Sequence, residues 1–101
     1  MNEEEIRNIS FPEEEWKAYQ KRINNGQCII TIRVLNEYGK YKLNDKYKAP
    51  WGDILLVIEI NEMTDIKDFP YYNELTKEQQ EFLNEYKKLQ WIKLIKVEWK
   101  Y

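Results

Sequence analysis

Hydrophobic positions near the start of the chain follow helical spacing. Trp16, Tyr19 and Ile23 recur at the intervals typical of one face of an α-helix. Residues 10–13 (SFPE) carry the serine and glutamate of a capping box, in which each side chain satisfies a backbone N–H. The helix is predicted to end at Gly26, because glycine readily adopts the positive φ of a helix C-cap.

The next segment, residues 27–35 (QCIITIRVL), has the pattern of a β-strand with two different faces. One face is wholly apolar and is predicted to lie against the core: Cys28, Ile30, Ile32 and Val34. The other face mixes apolar and polar side chains: Ile29, Thr31, Arg33 and Leu35. A mixed face of this kind indicates partial cover, as in the wall of a cleft.

The middle of the chain is predicted to form a hairpin and a second strand. Residues 36–39 have turn composition, and further turns are expected at residues 44–45 and 50–53. Residues 53–60 (DILLVIEI) form an apolar strand, in which simple alternation places Glu59 on the face of Leu55 and Val57.

The last third combines an acidic stretch, a helix and a strand. Residues 61–74 are irregular and contain an aromatic segment at 69–72 (FPYY), predicted to plug one end of a barrel or to cover a cleft. Residues 76–79 form a second capping box, which opens a helix to about Leu89 with Phe82, Leu83 and Tyr86 facing inward. Residues 91–99 are the closing strand.

Length and composition favour an α+β domain covering residues 1–101. The chain has no histidine and one cysteine, Cys28, which excludes disulfides, thiolate zinc sites and histidine-based catalysis. No metal or other cofactor is expected. The acidic start differs from a signal peptide, and no apolar run approaches the roughly 20 residues of a membrane span. A cytoplasmic protein of bacterial or phage origin is therefore expected, the origin being read from the abundance of Ile, Lys and Asn.

Charge is unevenly distributed although the chain has a net charge of −2. Residues 1–15 and 53–86 are acidic, whereas residues 16–52 and 87–101 are basic. The basic blocks predict a positive face, which would attract anionic partners. The alternative is a solvated surface on which like charges have clustered by chance.

The basic block contains lysines interleaved with aromatic residues. The set is Tyr38, Lys40, Tyr41, Lys42, Lys46, Tyr47, Lys48 and Trp51. Lysines contact phosphates and aromatic faces stack on unpaired bases, so this hairpin is a candidate surface for RNA. The alternative is a hairpin whose aromatic rings face the core and whose lysines protect a sheet edge.

Part of this pattern resembles the ASCH domain, a family with a small PUA-like β-barrel. Its motif is G-x-K-x-x-T-x-R at the start of a strand, and Gly26, Thr31 and Arg33 match it. Asn44 and Asp45 resemble the Gly-Asp turn of that family, with an asparagine that also tolerates positive φ. The resemblance implies an ASCH-type barrel flanked by two helices.

The resemblance also implies an RNA-related function. ASCH domains are suspected of contacting RNA or nucleotides in a cleft beside the motif strand. One small bacterial group is similar to hydrolases of N4-acetylcytidine, in which the motif lysine and threonine act with a downstream glutamate. Here Cys28 replaces the lysine, and its position predicts a buried, inert thiol. The downstream acid is Glu59, Glu62 or Glu74.

Three functions follow from these observations. The first is binding of RNA or a nucleotide beside Thr31 and Arg33, assisted by the hairpin. The second is hydrolysis of a modified nucleoside, with Thr31 as a catalytic residue, which the missing lysine disfavours. The third is a protein-interaction module, such as a phage inhibitor of a host system. Arg33 either binds an anion in the cleft or pairs with an acid such as Glu59.

Overall fold

The computed structural model describes residues 6–97 of the chain. The helices and strands, in chain order, are β1 (Arg7–Asn8), α1 (Trp16–Asn24), β2 (Ile29–Val34), β3 (Lys46–Lys48), β4 (Ile54–Met63), α2 (Lys77–Leu83) and β5 (Leu89–Lys96). Short 3₁₀ turns occupy Glu13–Glu15, Leu35–Glu37, Ile66–Asp68 and Tyr72–Glu74. Neither helix within residues 6–97 has the length and apolar character needed to cross a membrane.

The five strands form one mixed sheet in the order β1-β3-β4-β5-β2. β1 runs parallel to β3, and the other neighbours are antiparallel. The sheet curls into a half-barrel, so the α+β class with two helices is confirmed and the barrel is present in half-open form. β2 lies at one edge of this sheet, with β5 as its neighbour.

The ends of α1 differ in how well the sequence predicted them. The capping box at residues 10–13 is wrong: a 3₁₀ turn comes first, α1 begins at Trp16, and neither start has a side-chain cap. The C-terminal end is as predicted, since Gly26 has a φ of 77°. The N–H groups of Gly26 and Gln27 donate to the carbonyls of Ile23 and Arg22, at 3.1 and 2.9 Å, in a Schellman motif.

The start of α2 confirms the second capping box. Thr76 Oγ1 accepts from the Gln79 N–H at 3.1 Å, and Gln79 Oε1 accepts from the Thr76 N–H at 2.9 Å. The helix ends at Leu83, however, and not near Leu89, because residues 89–90 already pair with neighbouring strands. Among the residues predicted to face inward, Leu83 is buried, Tyr86 is half-buried and Phe82 is 57% exposed.

Each face of the sheet carries its own hydrophobic core. The first core includes Phe11, Ile23, Ile29, Tyr47 and Leu94. The second core covers the opposite face and consists of Met63, Ile66, Phe69, Leu83, Leu89 and Trp91.

This arrangement corrects the predicted orientation of β2. Ile29 and Arg33, on the face assigned to a cleft, are buried in the first core region, at 0% and 7% exposure. Ile30, Ile32 and Val34 are only half-buried, against the second core. Alternation could not distinguish the two faces, because both are covered.

A β-bulge in β4 reverses the predicted orientation of Glu59. The pairing with β5 passes from Val57↔Leu94 to Glu59↔Lys93, which leaves Ile58 as the extra residue. After the bulge Ile60 packs against the first core in place of Glu59. Glu59 therefore lies beside Lys93 on the opposite face from Val57, since a bulge shifts the alternation of side chains by one residue.

Candidate ligand-binding groove beside the edge strand

Residues 38–51, predicted as a hairpin, contain one strand, β3, which pairs with β4 and not within the segment. In this segment, which we call the hairpin, two tyrosine rings lie in the core. Tyr41 and Tyr47 are 6% and 3% exposed, and their ring centroids lie 5.0 Å apart. The Trp51 ring is half-buried and stacks on Phe11, while its Nε1 donates to Asp53 at 2.8 Å. These rings fill the space between β3 and the segment around Phe11, as in the alternative interpretation of the hairpin.

The lysines of the hairpin lie on the outside. Lys40, Lys42 and Lys48 are exposed, and Lys46 is half-buried. Lys40 pairs with Glu37 at 2.7 Å. Tyr38 is half-buried and lines a cavity with Glu62. β3 has a neighbour on each side, so these lysines do not protect a sheet edge.

Arg33 is held by contacts within the fold. Its guanidinium lies 5.1 Å from the ring centroid of Phe11 and 5.3 Å from that of Tyr41. One Nη donates to the Ser10 carbonyl at 3.0 Å, and the other lies 3.6 Å from the Glu37 carboxylate. Its acidic partner is therefore Glu37 and not Glu59. The Nε–H is buried and has no acceptor among residues 6–97.

A groove follows the edge strand β2 and has wall residues from both faces of the sheet. Its larger part, the inner cavity, has a volume of about 540 Å³. The walls come from α1, the loop into β2, β2 itself, the segment 69–75, and β5. The wall residues include Tyr19, Arg22, Cys28, Tyr71, Glu74 and Lys93.

The smaller part, the outer cavity, has a volume of about 300 Å³. It adjoins the inner cavity, because Tyr19, Ile30, Phe69 and Leu75 belong to the walls of both. Its other walls include Ser10, Glu15, Thr31, Arg33, Gln79 and Phe82. We refer to the two cavities together as the β2 groove.

The walls of the β2 groove are fixed by buried side chains and hydrogen bonds. Phe69 is 6% exposed and packs edge-to-face on Trp91, with ring centroids 5.8 Å apart. Gln80 Nε2 donates to the carbonyls of Tyr72 and Leu75, at 3.0 and 3.3 Å, and so joins the aromatic segment to α2. Residues 69–72 thus form a wall of the groove, with Phe69 as its buried anchor.

Two cations line the inner cavity. Arg22 Nε donates to the Cys28 carbonyl at 3.1 Å, and no carboxylate within residues 6–97 forms an ion pair with this guanidinium. Lys93 pairs with Glu59 at 3.3 Å, and Glu59 also accepts from Asn61 at 2.7 Å. The hydrogen bond to Glu59 raises the pKa of Lys93, so its ammonium keeps its proton at neutral pH.

Two tyrosines provide aromatic surface in the inner cavity. Burial, with a smaller contribution from Glu15, raises the pKa of Tyr19 to about 12, so its hydroxyl stays neutral. Tyr71 is 38% exposed, and its ring lies edge-on to Phe69 and Trp91. A planar ligand entering the cavity therefore meets one aromatic side chain with substantial accessible area.

Cys28 and the motif threonine do not share one site. Cys28 is half-exposed in the wall of the inner cavity, which corrects the prediction of a buried thiol. Thr31 lies in the wall of the outer cavity with Arg33. Of the three downstream acids, Glu74 lines the inner cavity and Glu59 holds Lys93.

The third acid, Glu62, belongs to a separate cavity of about 600 Å³ at the far end of β4. This cavity shares no wall residue with the β2 groove, and it contains both carboxylates and ammonium groups, among them Asp68, Lys87 and Lys88. Within residues 6–97, no group of three Cys, Asp or Glu side chains is placed to hold a metal ion.

Sequence reasoning placed a cleft beside residues 27–35 but missed most of its functional groups. Arg22 was assigned to the helix without a role, Lys93 to the closing strand, and Tyr71 to a plug. Nothing in their local sequence marks them, since each comes from a different segment. The one available signal was the aromatic segment 69–72, for which a cover over a cleft was the alternative to a plug.

No protein-family model, curated protein or solved structure matches this chain. The resemblance to ASCH domains therefore rests on the short motif alone.

Proposed function

We propose that this protein binds a nucleotide, free or within single-stranded RNA, in the inner cavity of the β2 groove. The observation that carries the proposal is the pairing of two cations with an accessible aromatic ring in one cavity. Arg22 and Lys93 would contact the phosphate, and Tyr71 would stack on the base. The volume of about 540 Å³ lies within the usual range for small-ligand sites.

We also propose that the half-barrel is an ASCH-type, PUA-like domain. Gly26 and Asn44 both have positive φ, of 77° and 70°, as the motif and its turn require. The strand that carries Thr31 and Arg33 forms one wall of the groove. The proposed nucleotide site adjoins this wall, because the two cavities share Tyr19, Ile30, Phe69 and Leu75.

Binding is favoured over hydrolysis by the state of the charged groups. The motif lysine is replaced by Cys28, and the lysine that does reach the cavity, Lys93, is held as a cation by Glu59. A protonated ammonium can stabilise an anion but cannot act as a general base. Thr31 lies in the neighbouring cavity, so the proposed catalytic pair of the related hydrolases is not assembled in one place.

The proposal is tested by titrating the purified protein with nucleoside monophosphates in a calorimeter, at low and at high salt. Binding should weaken as salt rises, because phosphate contacts are electrostatic. Lys93→Gln and Arg22→Gln should each lower affinity about tenfold, a loss of about 1.4 kcal/mol.

The matched control is Lys48→Gln, which removes an exposed lysine from the hairpin. This variant should bind as the parent does. Equal losses from Lys48→Gln and Lys93→Gln would mean that a diffuse basic surface, and not the cavity, attracts the ligand. Absence of binding by folded protein would exclude the proposed function.

A further inference from the structure

We infer that the ligand is a single-stranded oligonucleotide whose second nucleotide occupies the outer cavity of the β2 groove. This inference rests on the proposed nucleotide binding in the inner cavity and extends it to the neighbouring one. The two cavities share Tyr19, Ile30, Phe69 and Leu75, so a ligand can pass from one to the other along β2.

The length of the groove suits more than one nucleotide. Cys28 lines the inner cavity and Ile32 the outer one, four residues further along the chain. Four residues of extended chain span about 13 Å. This distance is greater than the separation of successive nucleotides in a single strand, so a mononucleotide in the inner cavity leaves the outer cavity unfilled.

One residue in the wall of the outer cavity, Arg33, carries a hydrogen-bond donor that is unused within residues 6–97. Arg33 is 7% exposed and forms part of the cavity wall, and its buried Nε–H has no acceptor within the described chain. A buried donor without an acceptor is costly, and few occur in folded proteins. The Nε atom has almost no accessible surface, so a sugar, phosphate or base oxygen in the outer cavity would supply the missing acceptor only when the Arg33 side chain turns toward it.

The rim of the outer cavity carries an exposed aromatic ring. Phe82 is 57% exposed, although the helical pattern predicted it to face inward. An exposed phenylalanine beside a groove is a suitable surface for an unpaired base, because every base has a π-face. With Tyr71 in the inner cavity, the groove then offers one aromatic ring to each of two nucleotides.

The charges around the groove set the direction of the phosphates. Arg22 of α1 lines the inner cavity and α1 has no carboxylate, so the phosphate of the first nucleotide would lie toward this helix. Glu15 and Glu74 line the outer and inner cavities and repel phosphate from their positions. A carboxylate can instead accept from the amino group of a base. A duplex, whose base faces are stacked and hidden, does not fit this arrangement.

The test compares a mononucleotide, the corresponding dinucleotide and a base-paired duplex by calorimetry with the parent protein and two variants. The dinucleotide should bind about tenfold tighter than the mononucleotide, and the duplex should bind weakly. Phe82→Ala should remove the gain of the dinucleotide, a loss of about tenfold, and leave the mononucleotide unaffected. Leu43→Ala, which removes a side chain of similar exposure (56%) outside the groove, should change neither.

The outcomes separate the two proposals. Equal affinity for mononucleotide and dinucleotide, or a Phe82→Ala variant that keeps the gain, would overturn the second subsite and leave nucleotide binding intact. Tight duplex binding would also overturn it. If folded protein binds none of the three probes, both the subsite and the proposed function fail.

Discussion

The hairpin at residues 38–51 and the β2 groove both combine cations with aromatic rings, but they do so in opposite ways. In the hairpin the two residue types are interleaved in the sequence, and the structure separates them: Tyr41 and Tyr47 are buried while Lys42 and Lys48 are exposed. In the groove, Arg22, Tyr71 and Lys93 are far apart in sequence and share one cavity.

The separation of tyrosines from lysines in the hairpin follows from the alternation of side chains along a β-strand. Lys46, Tyr47 and Lys48 alternate, so a strand that buries one face must bury the tyrosine and expose both lysines. Close interleaving of lysines and aromatic residues is therefore evidence of an amphipathic strand before it is evidence of a nucleic-acid surface. A site needs both types on one surface, and here only tertiary contacts provide that.

The largest expected effect is a difference in stability between two alanine variants, one at Tyr47 in the first core and one at Tyr71 in the groove. Tyr47→Ala should lower the free energy of unfolding by about 4 kcal/mol, because it removes a fully buried ring from the first core. Tyr71→Ala should cost only about 1 kcal/mol, the value of its edge-on ring contacts. Urea denaturation of both variants provides the measurement.

The same two variants should also differ in their affinity for a nucleotide. Tyr71→Ala should weaken nucleotide affinity about tenfold through lost stacking, whereas Tyr47→Ala, where still folded, should bind as the parent does. A strong binding defect in a folded Tyr47→Ala variant would mean that the hairpin contributes to the binding site. This would contradict the contrast between the hairpin and the β2 groove.

A smaller effect is expected at Arg33, which belongs to the structural interior and also borders the groove. Arg33→Ala should cost about 3 kcal/mol, since it empties the space between Phe11 and Tyr41 and leaves the Ser10 carbonyl without its donor. Arg33→Met should recover about half of this loss, because its unbranched side chain refills the space without a buried charge. Thermal and urea unfolding of the two variants test this order.

The stability of Arg33→Ala also shows whether Arg33 belongs to the structural interior or to the β2 groove. If Arg33→Ala is as stable as the parent, the guanidinium is not a structural element. Its unpaired Nε would then point to a ligand as its main partner, and the residue would belong wholly to the groove.

The smallest effect concerns the Glu59–Lys93 pair on the groove side of the sheet. Hydrogen bonds from Asn61 and Lys93 lower the pKa of Glu59, so its contribution to stability is complete above about pH 4.5 and is lost as pH falls through the lowered value. The raised pKa of Lys93 acts in the opposite direction: its contribution is complete below about pH 10.5 and is lost as pH rises through the raised value.

Glu59→Gln should therefore return the pKa of Lys93 toward its ordinary value while leaving the fold nearly unchanged. An NMR titration of the Lys93 side chain measures the shift, and Glu62→Gln, at the separate cavity, is the matched control. An unchanged Lys93 pKa in Glu59→Gln would mean that the bulge at Ile58 does not set the charge of the inner cavity.

Several elements were within reach of the sequence because local chemistry decides them. The capping box at Thr76, the positive φ of Gly26 and Asn44, and the order of helices and strands all depend on a few neighbouring residues. The presence of strands at residues 27–35 and 53–60 also followed from short apolar runs. In each case the residues that form the feature are close together in the sequence.

Other features depended on contacts between distant segments. The end of α2 at Leu83 was missed because Leu89 pairs with Val34 and Met63, and strand pairing outweighs helical spacing. The orientation of Glu59 was wrong because a bulge at Ile58 shifted the alternation, and the composition of the strand does not reveal a bulge.

The sequence by itself determined most of the helices and strands, though not β1 or the end of α2, and it indicated a cleft beside residues 27–35. Only the tertiary structure decided which face of β2 is more deeply buried, and which side chains meet in the groove. The physical reason is that both faces of the sheet are covered, so burial depends on the packing of α1 and the segment 63–86 against them. Arg22, Tyr71 and Lys93 become one candidate site through that packing alone.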